Sequence, residues 1–186
     1  MQIITAPMAG ITDYSFRKIL YEFSPDIIFT EMVDVNALKY SNQRTQDEIL
    51  RKAGNESVQI FGNKNEDFLE AVKLLIERGF DHIDINLGCP VKKIIRAGKG
   101  SALLLESDFV KELLLKLKKE FRNDIKLSMK IRTGYKNFSD PEYYVKLAEE
   151  YGLFQICIHG RTQEQLYSGQ ADWNIIKKMK QKHKQR

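Results

Sequence analysis

The sequence is short of several things, and each shortage narrows what it can be. Its 186 residues hold two cysteines, Cys89 and Cys157, far apart and in no C-x-x-C spacing. Two isolated thiols build neither a disulfide framework nor a zinc site, and they fit a reducing compartment. No cluster of acidic side chains marks a metal site. No apolar run approaches the roughly 20 residues that a membrane helix needs. The opening run Met1 to Pro7 has neither the basic region nor the apolar stretch of a secretory signal. The expectation is a cytoplasmic protein without membrane contact. No G-x-G-x-x-G turn, the mark of a dinucleotide-binding doubly wound sheet, follows the first apolar run.

What is present reads as a globular domain. Hydrophobic residues make up 42% and charged residues 30%, enough for a sizeable core. The net charge is +5, and the last ten residues carry six basic side chains and no acid, so residues 1–176 sum to −1. The basic balance therefore belongs to a tail, 177–186, which reads as a solvated end. It is weak support for nucleic-acid binding by the whole chain. The expected division is a β/α-barrel portion over 1–176 and this basic tail.

Short apolar runs alternate with longer amphipathic stretches. Strands are expected over 3–8, 27–32, 58–61, 82–87, 126–131 and 154–159. Helices are expected over 13–23, 66–78, 108–121, 141–151 and 172–182. In 66–78, Phe68, Leu69, Val72, Leu75 and Ile76 share one face, and Gly79 stops the helix. Pro141 sits in the first turn of its helix. Repeated β–α units predict an α/β fold with a parallel sheet. Polar or special residues recur at the strand ends: Met8, Glu31, Gln59, Asn86 with Cys89, Lys130 with Arg132, and His159 with Arg161. That is the face on which (β/α)8 barrels keep their chemistry. The chain supplies about six of the eight units, so the expected fold is an incomplete TIM-type barrel.

Three constellations carry chemistry. In Asn86-Leu87-Gly88-Cys89-Pro90 a strand ends in a sharp turn, and Gly88 and Pro90 could hold Cys89 on the rim. The bland alternative is a small apolar residue under a turn, which is how Cys157, inside Ile156-Cys157-Ile158, is read. Gly98-Lys99-Gly100-Ser101-Ala102 is small enough to let backbone lie close to a ligand. Lys130 at a barrel mouth is costly unless it meets an anion or a polarised carbonyl; a surface lysine is the other reading. His159 could donate to a ring nitrogen, a carbonyl or a phosphate, or be a satisfied core histidine. Gln59 is a neutral donor and acceptor. His82 opens its strand at the opposite, stability face, and His183 lies in the tail; both are set aside. Gln, Lys and His around one mouth suit a flat, electron-rich organic cofactor.

Read in order, the motifs Ala6-Pro7-Met8-Ala9-Gly10-Ile11-Thr12-Asp13, Thr30-Glu31-Met32, Gln59-Ile60-Phe61-Gly62, Asn86-Leu87-Gly88-Cys89-Pro90, Gly100-Ser101-Ala102-Leu103-Leu104, Lys130-Ile131-Arg132-Thr133-Gly134 and His159-Gly160-Arg161-Thr162 closely resemble the tRNA-dihydrouridine synthases. The run from Glu164 to Trp173 does so too. The resemblance implies an FMN-dependent barrel that reduces uridine to 5,6-dihydrouridine in tRNA, with NADPH (or NADH) as electron source. It implies that Pro7, Met8 and Ala9 lie against the flavin, that Gln59 and Lys130 hydrogen-bond its ring, and that His159 contacts it. Cys89 is implied as the general acid at C5 of the uracil, with hydride reaching C6. Asn86 would position the turn or the uracil. Lys92, Lys93 and Arg96 would meet RNA phosphates, and Arg132 and Arg161 are further substrate-binding candidates. The family's last two strands, its flavin-phosphate segments and its helical tRNA-gripping domain have no match here, so a C-terminally incomplete form is the expectation.

Two rival readings remain beside it. One is a related FMN barrel that reduces free pyrimidines, since a similar Asn-Leu-x-Cys-Pro turn occurs there. The other is an inactive fragment whose basic tail only binds RNA. The basic residues after Cys89 and the Tyr167-to-Trp173 run favour the tRNA enzyme.

Overall fold

The computed structural model describes residues 2–40, 45–122, 124–136 and 140–183. Five parallel strands form one sheet in sequential order: β1 Phe29–Asp34, β2 Ser57–Phe61, β3 His82–Leu87, β4 Lys126–Arg132 and β5 Gln155–His159. Helices α1 Tyr14–Leu20, α2 Val35–Lys39, α3 Asn65–Glu77, α4 Lys92–Arg96, α5 Ser107–Glu120, α6 Pro141–Glu150 and α7 Trp173–Lys182 alternate with them. This is the α/β architecture of a partial TIM barrel. No helix of the described residues is long and apolar enough to cross a membrane.

The strands obey a period of two. Ile83, Ile85 and Leu87 of β3 and Leu127, Met129 and Ile131 of β4 face the helices and are essentially fully buried. They meet Val72 and Leu75 of α3 and Leu113 and Leu117 of α5 in one continuous core. The intervening residues are polar. Gln59 is level with Asp84, Asp84 with Ser128, and Ser128 with Gln155 across four strands. One step towards the strand ends, Asn86, Lys130 and Cys157 are level. The inner face is thus a polar surface backed by an apolar core.

Local chemistry sets the helix boundaries. Asp13 caps α1 by accepting from Phe16 N at 2.8 Å. Asp140 caps α6 by accepting from Tyr143 N at 3.0 Å, with Pro141 as first helical residue. Asp172 accepts from Asn174 N and Ile175 N at the start of α7.

The expected strand over 3–8 is reduced to one bridge, Ile4 with Ile27. Side chains take the bonds a ladder would use: Ile3 N donates to Asp26 Oδ2 at 2.6 Å and Phe29 N to Thr5 Oγ1 at 3.2 Å. The next strand accordingly begins at Phe29 rather than 27. Of the basic tail, residues up to Lys182 continue α7, where Met179 is buried and Lys182 reaches Glu142; residues 184–186 lie outside the described ones. α4 and a 3-10 turn over Gly100–Leu105 occupy the stretch between the Cys89 turn and α5, where the pattern predicts no regular element.

Candidate active site

Cys89 follows β3, and four residues fix its turn. Asn86 Oδ1 accepts from Gly88 N at 3.1 Å and Cys89 N at 2.8 Å. Cys89 O accepts from Ser101 N at 3.1 Å and Ser101 Oγ at 2.8 Å. Arg132 Nε donates to Gly88 O at 2.9 Å. Gly100, at φ +61°, presses its backbone against Cys89. The cysteine is buried. Burial pushes its thiol above the ordinary value, against the pull of a Val91 backbone hydrogen bond and the Arg132 charge. A thiol that stays protonated is suited to give a proton.

The expected partners divide into three groups. Gln59 and Asn86 are buried and joined: Asn86 Nδ2 donates to Gln59 Oε1 at 2.7 Å, and Gln59 Nε2 donates to Asp84 Oδ2 at 2.6 Å. Gln59 keeps one further amide N–H, whereas the second of Asn86 donates to Met32 Sδ at 3.7 Å. Lys130, half-buried on the inner face, forms no salt bridge among the described residues, although its charge acts on the Asp84 carboxyl. His159 lies one step further along β5, where burial, followed by the charges of Arg132, Lys130 and Arg161, lowers its imidazole to about 4. Arg161 Nη1 can only donate, so at 3.3 Å it makes His159 Nε2 the acceptor and leaves the ring proton on Nδ1.

Arg132 and Arg161 are occupied with backbone. Arg132, buried, also donates to Thr162 O and Leu166 O. Arg161 donates to Ser168 O and Gly169 O. Both therefore shape the loop after β5. The Pro7-Met8-Ala9 segment is held by Thr12, whose backbone and hydroxyl donate to Met8 O, and by Gly10 N donating to Glu31 Oε1. Pro7 is half-buried, while Met8 and Ala9 are exposed. Lys92, Lys93 and Arg96 are exposed on α4, directly after the Cys89 turn.

Several residues of this region were not singled out from sequence. Lys99 is buried and donates to both oxygens of Asp34 at 2.8 Å, tying the segment behind Cys89 to the end of β1. Asp84 and Ser128 lie deeper on the inner face, and His82 below them. Cys157 sits on that same face, level with Lys130, and not in the apolar core. Tyr167 is three-quarters exposed, with Arg132 over its ring at 5.6 Å and the His159 ring at 6.3 Å. Leu166, at φ +50°, bends the chain to present it. The polar alternation in His82-Ile83-Asp84-Ile85-Asn86 and Ser128-Met129-Lys130-Ile131-Arg132 was the available signal.

A parallel β/α half-barrel with a neutral thiol at one strand end, and an amine and a neutral imidazole at the next two, defines a class of barrel enzyme sites. The family model described as dihydrouridine synthase (Dus) matches residues 4–184. The chain is 36% identical over 184 residues to tRNA-dihydrouridine synthase B of Escherichia coli K12, covering 97% of this chain and 57% of that protein. It is 36% identical to the protein of the same name from Pasteurella multocida, covering 97% and 54%, and 37% identical to that from Klebsiella pneumoniae, covering 97% and 57%. The chain belongs to the dihydrouridine synthase family. It spans rather more than half the length of these relatives.

Proposed function

We propose that this chain carries the thiol-bearing part of an FMN-dependent oxidoreductase of tRNA processing, one that reduces uridine to 5,6-dihydrouridine with NADPH (or NADH) as electron source. The observation that carries the reading is the Cys89 turn: a protonated thiol locked in place beside the strand ends that bear Lys130 and His159. Pro7, Met8 and Ala9 would flank the flavin, and Gln59, Lys130 and His159 would hold its ring. The donor set fits such a group. A half-buried ammonium with no salt bridge among the described residues is stabilised by a ring that gathers negative charge. With FMN held there, a hydride would be available for C6 of the uracil.

Cys89 then gives its proton to C5, and the thiolate that remains faces the Arg132 charge. Asn86 holds the turn that aims the thiol. Lys92, Lys93 and Arg96 would neutralise RNA phosphates next to the reacting base. Their exposure beside Cys89 favours a polyanionic substrate over a free pyrimidine. A cytoplasmic setting, and a division into barrel portion and basic tail, belong to the same reading.

The test is Cys89→Ala in the complete enzyme. NADPH-driven flavin reduction should persist and dihydrouridine formation in tRNA should vanish. Dihydrouridine formation at the parent rate would overturn the proton-donor role.

A further inference from the structure

Beneath the Cys89 turn runs an unbroken chain of buried polar groups. Ser57 Oγ and His82 Nδ1 are 2.7 Å apart, and His82 Nε2 and Ser128 Oγ 2.9 Å. Ser128 Oγ donates to Asp84 Oδ1 at 2.5 Å. From Asp84 the chain continues through the Gln59 and Asn86 amides to Gly88 N and Cys89 N.

With Asp84 ionised, donor capacity fixes every direction in this chain. The Ser128 hydroxyl spends its proton on Asp84, so it must accept from His82. That places the imidazole proton on Nε2 and makes Nδ1 the acceptor from Ser57. On the other side, a carboxylate only accepts, so Gln59 must turn its amide nitrogen to Asp84 and its oxygen to Asn86. Asn86 must then give its nitrogen to Gln59, which leaves its oxygen for the two turn N–H groups.

The two halves respond differently to a proton. Hydroxyls and imidazole can reverse. If Asp84 Oδ1 becomes O–H, it donates to Ser128, Ser128 donates to His82 Nε2, and the imidazole proton moves to Nδ1, facing Ser57. One proton is added and every other shift is a rearrangement within the chain. Amides cannot reverse in this way, and here they need not, because Asp84 Oδ2 remains an acceptor.

We propose that Asp84 is the positioning residue of the Cys89 turn, fixing the Gln59 and Asn86 amides in one orientation while Ser128, His82 and Ser57 reverse to satisfy it in either protonation state. Burial holds the Asp84 carboxyl at about 6, so both states occur near neutral pH. The charged or titratable groups around the chain are Lys130 and Cys157 near Asp84, and Asp81 and Lys126 near His82. The rings of Phe29 and Phe154 close over His82 at 5.4 and 5.1 Å. The inference deepens the reading of Cys89 as proton donor and rests on it for its functional meaning. Its test needs neither flavin nor tRNA, so the two can fail separately.

The experiment uses the chain as it is. Nitrogen-15 NMR reports the His82 tautomer, and mass spectrometry follows iodoacetamide labelling of the Cys89 peptide. At pH 7.5 the parent should show the Nε2–H form. Asp84→Asn keeps an acceptor for Gln59 but must donate to Ser128. It should therefore switch His82 to Nδ1–H and label Cys89 within about twofold of the parent rate. Asp84→Leu removes the acceptor and should speed labelling at least tenfold. An unchanged tautomer in Asp84→Asn overturns the proposal, as does slow, parent-like labelling in a folded Asp84→Leu. If Asp84→Leu does not fold, the tautomer measurement still decides.

Discussion

Gly100 lies so close to Cys89 that a Cβ placed on it would stand 3.0 Å from Cys89 Cβ and 3.0 Å from its carbonyl oxygen. The backbone there is also left-handed, at φ +61°. Gly100→Ala adds conformational strain of about 1–3 kcal/mol and an overlap that only movement of the cysteine turn relieves. The urea midpoint should fall accordingly, and Cys89 should alkylate faster than in the parent. Parent-like stability and labelling would show that this contact does not hold the thiol.

His82 and Asp84 oppose one another in acid. Burial lowers the His82 imidazole from 6.5 to about 4, so its contribution to stability is whole above pH 6.5 and is lost as pH falls towards 4. Burial raises the Asp84 carboxyl from 3.8 to about 6, so its cost is whole above pH 6 and lifts as pH falls towards 3.8. Each slope is about 1.4 kcal/mol per pH unit, and they nearly cancel between pH 6 and 4. Relative to the parent, His82→Phe should gain stability as pH falls through that window, and Asp84→Asn should lose it. Urea unfolding at three pH values reads the difference. Parallel curves for parent and variants would refute the pairing.

Arg17 and Glu56 form a fully buried ion pair at 3.2 Å. The guanidinium also binds Thr12 O, Ile49 O and Arg51 O, which ties the Met8–Thr12 segment to the chain before β2. Arg17→Met leaves Glu56 buried and charged, and should cost about 3–5 kcal/mol in chemical denaturation. Arg17→Met with Glu56→Gln should recover part of that loss. A double variant no more stable than the single one would place the effect in packing alone.

Elements with a strong period were legible in the sequence. His82–Leu87 has the boundaries the sequence pattern implies, and α3, α5 and α6 differ from expectation by a residue or so at each end, because an apolar stripe, a cap or a stop glycine marks them. The segment 3–8 was not legible, because its pairing is decided by Thr5 and Asp26 side chains that compete for ladder bonds. The rim residues could be placed at strand ends from alternation alone. What they do there could not: Arg132 and Arg161 carry the charge expected of substrate contacts, yet they bind carbonyls of the loop after β5 and, for Arg132, of the Cys89 turn. His82 was set aside as belonging to the stability face. It does lie there, and only three-dimensional register reveals that it is wired through Ser128 to Asp84.

The polar inner face has a last consequence. A barrel interior is normally filled with bulky, branched, apolar side chains. Here the greasy side of the sheet is roofed by helices and the opposite face carries amide, hydroxyl, carboxylate and ammonium groups. The amides, hydroxyl and carboxylate bond to one another, so that face is satisfied without water.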